Sequence, residues 1–179
     1  MQMIRLLFTG TFALSLALLA SAAFAEPKEA DEEESADTTF ADSFVGKTYS
    51  SDLEVEGWAD YGGGLVAPPV YVRQYQREVD GTYLILTSRE TAPASQGTPA
   101  SFVVADALIV PKPQSGTEFS IACVQGEDPT LRFMGEAKGK EEAEWWTNVR
   151  QAWEISIETG EITEAKTKGI KCTNVSWGQ

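Results

Sequence analysis

Histidine is missing from all 179 residues. Without an imidazole there is no Ser-His-Asp or Cys-His catalytic constellation, no histidine-ligated zinc and no H-E-x-x-H protease. The chain also lacks G-x-S-x-G, S-x-x-K, a Walker loop and G-x-G-x-x-G, which removes the common hydrolase, nucleotide and dinucleotide signatures. Basic residues are few. Fourteen Lys and Arg face 27 Asp and Glu, for a net charge of −13. Nucleic acid and anionic membrane surfaces are therefore disfavoured partners, because phosphates need a basic surface. Cysteine is limited to Cys123 and Cys172, with no C-x-x-C. Two thiols alone leave a metal site incomplete, and no metal or cofactor is expected.

What is present begins with export. Arg5 gives a short positive start, Leu6 to Ala20 is nearly unbroken apolar sequence, and Ala23-Phe24-Ala25 supplies small residues before a cut. This is the layout of a secretory signal peptide over residues 1–25. An uncleaved anchor would need the same stretch to reach across a bilayer, but the Ala-Phe-Ala end favours removal and leaves no membrane insertion. Cutting 25 residues from 179 leaves 154, enough for one domain with its own core. The expected location is periplasmic or secreted. There, the two cysteines are expected to pair as a Cys123–Cys172 disulfide.

Residues 26–38 open with EPKEADEEESAD, which has seven acids, one lysine and no aromatic or β-branched residue. Such a segment buries too little to order itself and reads as a flexible acidic leader. A single β-rich domain is expected over 39–179. Val70 to Val79 and Thr82 to Ser88 flank Asp80-Gly81, a strong hairpin signal. Residues 91–100 read as a loop, and Ser101 to Val110 as a buried strand. Glu118 to Val124 and Leu131 to Ala137 follow as strands. Trp145, Trp146, Val149 and Trp153 fall at helical spacing behind Glu141, Glu142 and Glu144, which predicts one helix near 141–150. A hairpin from Ala152–Glu158 to Glu161–Lys166 turns at Thr159-Gly160, and a last strand carries Cys172 to Trp177. The predicted class is mainly β with one short helix: an antiparallel curled sheet, sandwich or partly open barrel.

The candidate site residues are Trp58, Tyr61, Tyr71 and Arg73. Tyr71, Arg73, Tyr75 and Arg77 share one strand face by alternation. Arg and Tyr interleaved there can stack on a sugar or grip a carboxylate, or simply pack with their ends in water. Gly57 to Gly64 reads as a glycine-flanked aromatic loop, a platform for a partner or a turn whose Trp58 caps the core. Asp52, Glu54, Glu56 and Asp60 are acidic enough to attract calcium but lack the D-x-D-x-D-G spacing. Asp106 interrupts an apolar run. Such a position suits either a functional acid or, more simply, a bulge carboxylate bonded to backbone.

The stretches Asp106–Pro113, Val149–Ile155, Thr159-Gly160 and Gly169–Cys172 resemble a group of short secreted bacterial proteins of unassigned activity. The resemblance covers the C-terminal part of the chain. It implies an exported small domain and carries over no active-site residue.

The expectation is an exported non-catalytic domain that binds a protein or a small extracellular ligand. Two alternatives stand beside it. A carboxylate-based hydrolase, such as a glycoside hydrolase, needs two acids in a concave pocket. A purely structural envelope protein needs no site.

Overall fold

An Asp-Gly pair between two strand-forming runs sets the hairpin at residues 80–81. Gly81 takes a positive φ of 79°, and the Asp80 carboxylate accepts the Thr82 N–H at 2.9 Å. Glycine accepts that conformation without a Cβ clash. The structure is a computed structural model and describes residues 29–174 and Trp177. Helix α1 (Glu29–Asp42) leads into β1 (Thr48–Tyr49), β2 (Trp58–Ala67), β3 (Val70–Arg77), β4 (Tyr83–Ala92) and β5 (Ser101–Val110). Then follow β6 (Glu118–Gln125), β7 (Phe133–Lys138), β8 (Trp145–Trp146), β9 (Asn148–Ile155), β10 (Ile162–Ala165) and β11 (Ile170–Thr173).

The strands form two antiparallel sheets, ordered β1-β5-β4-β3-β2 and β10-β9-β7-β6-β11-β8, and one sheet curls into half a barrel. The fold is therefore mainly β, as the turn spacing predicts. Alternation in β3 and β4 sorts the core. Val70, Val72 and Ile85 point toward the second sheet and meet Phe119, Met134, Trp153 and Ile155. Tyr75, Leu84, Leu86 and Val104 point the other way and are covered by Ala41 of α1, by Phe44 in the turn that follows it and by Val55. Each fully buried side chain of this size stabilises by about 1.5–3 kcal/mol. A third cluster lies in the second sheet: Cys123, Phe133, Ala137, Trp146, Ala152, Ile170 and Cys172. Cys123 and Cys172 are register partners on β6 and β11, 4.0 Å apart at Cα, and form the expected disulfide.

Three sequence expectations change. First, residues 141–150 are not a helix. A turn at 141–142 runs into β8 and then β9. Trp146 pairs with Cys172 and donates its indole N–H to the Lys140 carbonyl at 3.1 Å. It also lies so close to Gly139 that a side chain there would strike the ring. Pairing of β9 with β7, and of β8 with β11, outweighs the helical spacing of a segment too short to hold a helix alone.

Second, the acidic segment is helical from Glu29. Its last turns are tied down by contacts that composition cannot reveal. Asp37 binds Arg77 at 2.8 Å, Phe40 stacks on Trp58, Ala41 is buried, and so is Phe44 in the turn just after the helix.

Third, the glycine-rich stretch is a loop only at Gly57, which turns the chain; residues 58–64 are the first part of edge strand β2. Register shifts at Asp60/Gly62 and Leu65/Ala67 accommodate it. The last strand ends at Thr173; residues 175–176 of the predicted span, like the expected signal peptide over 1–25, lie outside the described residues.

Candidate functional site

The alternation that buries Tyr75 also puts Tyr71, Arg73 and Arg77 on the α1 side of the first sheet. Helix α1 and the segment around Val55 cover only part of that face. The uncovered part is a groove of about 360 Å³. Tyr71 and Arg73 come from β3, Ser88 from β4, Phe102 from β5 and Tyr49 from β1, with Ser51 and Asp52 just after it. Gly63 and Gly64 on β2 and Val72 on β3 complete the lining. A side chain on Gly63 would strike the Val72 carbonyl oxygen, so the close approach of β2 to β3 requires glycine there.

The aromatic wall is mutually supported. Tyr49 stacks on Phe102 at 5.3 Å, and Tyr71 meets Phe102 edge-on at 5.2 Å. The Tyr49 hydroxyl donates to Ser88 Oγ at 2.9 Å, and the Tyr71 hydroxyl to Glu90 at 3.3 Å. Burial, then the Glu90 charge, push the Tyr71 phenol above its usual pKa, so it stays protonated and remains a donor. Both terminal nitrogens of Arg73 donate to Asp52 Oδ1 at 3.0 Å, and Asp60 lies at 3.5 Å. Burial opposes the Arg73 charge, but bonds to Tyr75 and Asp52 outweigh it and raise the pKa. Among the described residues, the charged lining of the groove is this one ion pair.

The four predicted residues do not form one site. Tyr71 and Arg73 meet in the groove. Trp58 instead closes the core beneath α1, with its ring 5.7 Å from Phe40 and the Arg77 guanidinium 5.3 Å from its centre. Tyr61 is 63 % exposed on β2 and touches Tyr83, away from the groove lining. Tyr49, Ser88 and Phe102 were not legible as site residues, and Asp52 only as one of four acids able to attract calcium, because strand order rather than any local motif brings them to Tyr71.

Asp106 takes the simpler of its two roles. It sits beside the β5 bulge, where the register passes from Thr87↔Asp106 to Ser88↔Val104. One carboxylate oxygen accepts Ala107 N–H at 2.8 Å; the other accepts Ile162 N–H at 2.7 Å, across to the second sheet. Thr87 Oγ1 donates to the Gly160 carbonyl beside it at 2.5 Å. Asp106 thus staples the β9–β10 turn onto the first sheet.

A second groove, about 620 Å³, runs between α1 and the end of β5, with Ala107, Ile109 and Pro111 on one side. Two of its carboxylates, Asp37 and Asp80, both grip Arg77. The bond from Arg77 lowers the Asp80 pKa to about 2, so Asp80 carries no proton at neutral pH. Among the described residues no three Cys, Asp or Glu side chains converge as metal ligands, and no helix is long and apolar enough to cross a membrane. The disulfide fits an oxidising compartment. Comparison with protein-family models, curated proteins and solved structures finds no match for this chain.

Proposed function

We propose that this protein is an exported, non-catalytic binding domain, periplasmic or secreted, that takes a small extracellular ligand in the groove on its first sheet. The observation that carries this reading is the joint one: three aromatic rings, a guanidinium and glycine backbone from four strands of one sheet around a 360 Å³ depression. That volume falls at the small end of ligand sites, about 300–1,000 Å³, and the mixture of apolar walls and a few polar groups is what such sites need. Most of the lining stands on hydrogen-bonded strands of one sheet, which lowers the ordering cost of binding.

The carboxylate-hydrolase alternative has less support. Such an enzyme needs one carboxylic acid protonated and a second carboxylate opposite it. The first groove offers Asp52 alone, already bound to Arg73. In the second, Asp80 is held ionised by Arg77.

The test is amide NMR of the ¹⁵N-labelled purified protein against a chemically mixed fragment library. Saturable shifts clustered on Gly63, Gly64, Tyr71, Arg73 and Phe102 are expected. A library that leaves these signals unmoved refutes the reading. Amino-terminal sequencing of native material is expected to begin at Glu26; an intact Met1 would remove the export part.

A further inference from the structure

We propose that the ligand of this groove is a neutral sugar, a mono- or disaccharide lying against the Tyr49, Tyr71 and Phe102 wall. The inference rests on the small-ligand reading above and narrows it to one chemical class. Charge makes the first cut. The lining carries one cation and one anion, Arg73 and Asp52, already bonded to each other. A carboxylate or phosphate ligand would have to displace Asp52 from Arg73. It would then meet Asp60 at 3.5 Å from the same guanidinium and Glu90 on the Tyr71 hydroxyl. An ammonium ligand would find at Asp52 only an 82 % exposed carboxylate already neutralised by Arg73, where solvent screening leaves little to gain.

Hydrogen-bonding capacity makes the second cut. The Ser51 hydroxyl and the spare lone pairs of Tyr49, Tyr71 and the 82 % exposed Asp52 remain available around the rings. A purely apolar ligand would desolvate these groups without replacing their water. A pyranose answers both demands. Its C–H face covers an aromatic ring, and its hydroxyls donate and accept around the rim.

The experiment titrates the purified protein with cellobiose, maltose and N,N′-diacetylchitobiose, with glucosamine and galacturonic acid as cationic and anionic controls. Amide shifts at Gly63, Gly64 and Arg73 are read. At least one neutral sugar is expected to shift them saturably, with both charged controls weaker by about tenfold. Phe102→Ala should weaken that sugar by about tenfold, the loss of one ring contact with its buried area. Asp52→Asn lies at an exposed position and leaves the fold intact. It frees part of the Arg73 charge, so galacturonic acid should close the gap on the neutral sugar. A charged control binding the wild-type protein as well as the neutral sugars overturns the assignment, as does a panel that moves none of these signals. If the sugars fail while mixed fragments shift the same amides, the sugar class falls and the small-ligand reading stands. If both sets fail, both fall.

Discussion

Replacing Asp106 separates a structural staple from a ligand-binding acid. Its two oxygens hold two backbone N–H groups, Ala107 at 2.8 Å and Ile162 at 2.7 Å, both partly buried. Asp106→Ala leaves both donors without their protein partner. An orphaned buried donor costs about 1–3 kcal/mol; with some water access here, the sum is about 2–4 kcal/mol. For a chain of this size that lowers Tm by about 5–15 °C. Asp106→Asn keeps one acceptor oxygen but turns an amide N–H₂ toward the other donor, so it should lose roughly half as much. Urea unfolding followed by tryptophan fluorescence gives the difference as a shift in midpoint at constant slope. The Asp106 variants should leave ligand shifts at Gly63 and Arg73 unchanged wherever they remain folded. A loss below about 0.5 kcal/mol, the size of an ordinary surface substitution, would refute the staple. So would an Asp106→Asn variant that is fully stable yet loses groove binding.

Replacing Cys123 and Cys172 together by Ala reopens a loop with a separation of 49 residues. The chain-entropy model gives a loss of about 4 kcal/mol, a fall in Tm of about 8–16 °C by calorimetry; an unchanged Tm would refute it. Asp80, held down to about 2 by Arg77, contributes stability that is fully present above its ordinary value of 3.8 and drains away as pH falls toward 2. Asp80→Asn should therefore be less stable at neutral pH and show a flatter urea midpoint between pH 4 and 2; parallel wild-type and variant curves would count against the clamp. Gly139→Ala pushes a methyl group into the Trp146 indole, so it should cost about 1–3 kcal/mol and shift the tryptophan emission, whereas an unaltered spectrum would mean that Trp146 does not lie on Gly139.

The elements that were legible in the sequence are those with local causes. Asp80-Gly81 and Thr159-Gly160 announce their hairpins, because positive φ at Gly81 and Gly160 is a property of glycine itself. The Ser101–Val110 run is apolar because both of its faces are covered, Val104 on the α1 side and Val110 toward the second sheet. The elements whose local pattern points elsewhere have distant causes. Trp145 and Trp146 are strand residues because Cys172 and Thr173 lie opposite them. The end of the acidic segment is a docked helix because Arg77, 40 positions away from Asp37, reaches back to it. Half of the groove was visible as Tyr71 and Arg73 on one strand face. The other half depended on β1 pairing with β5, which sets Tyr49 beside Phe102.

By itself the sequence determined the β-rich class, the hairpin turns, the pair of cysteines fit to bond, and the chemistries closed to a chain without histidine. Those follow from backbone sterics, side-chain period and atomic inventory, which act over a few residues or over none. Only the tertiary structure decided which Tyr and Arg share a groove, that Asp106 is a staple, and that Trp58 belongs to the core. Each of those depends on strand order and register, and a register change of one residue turns every side chain of a strand to the opposite face.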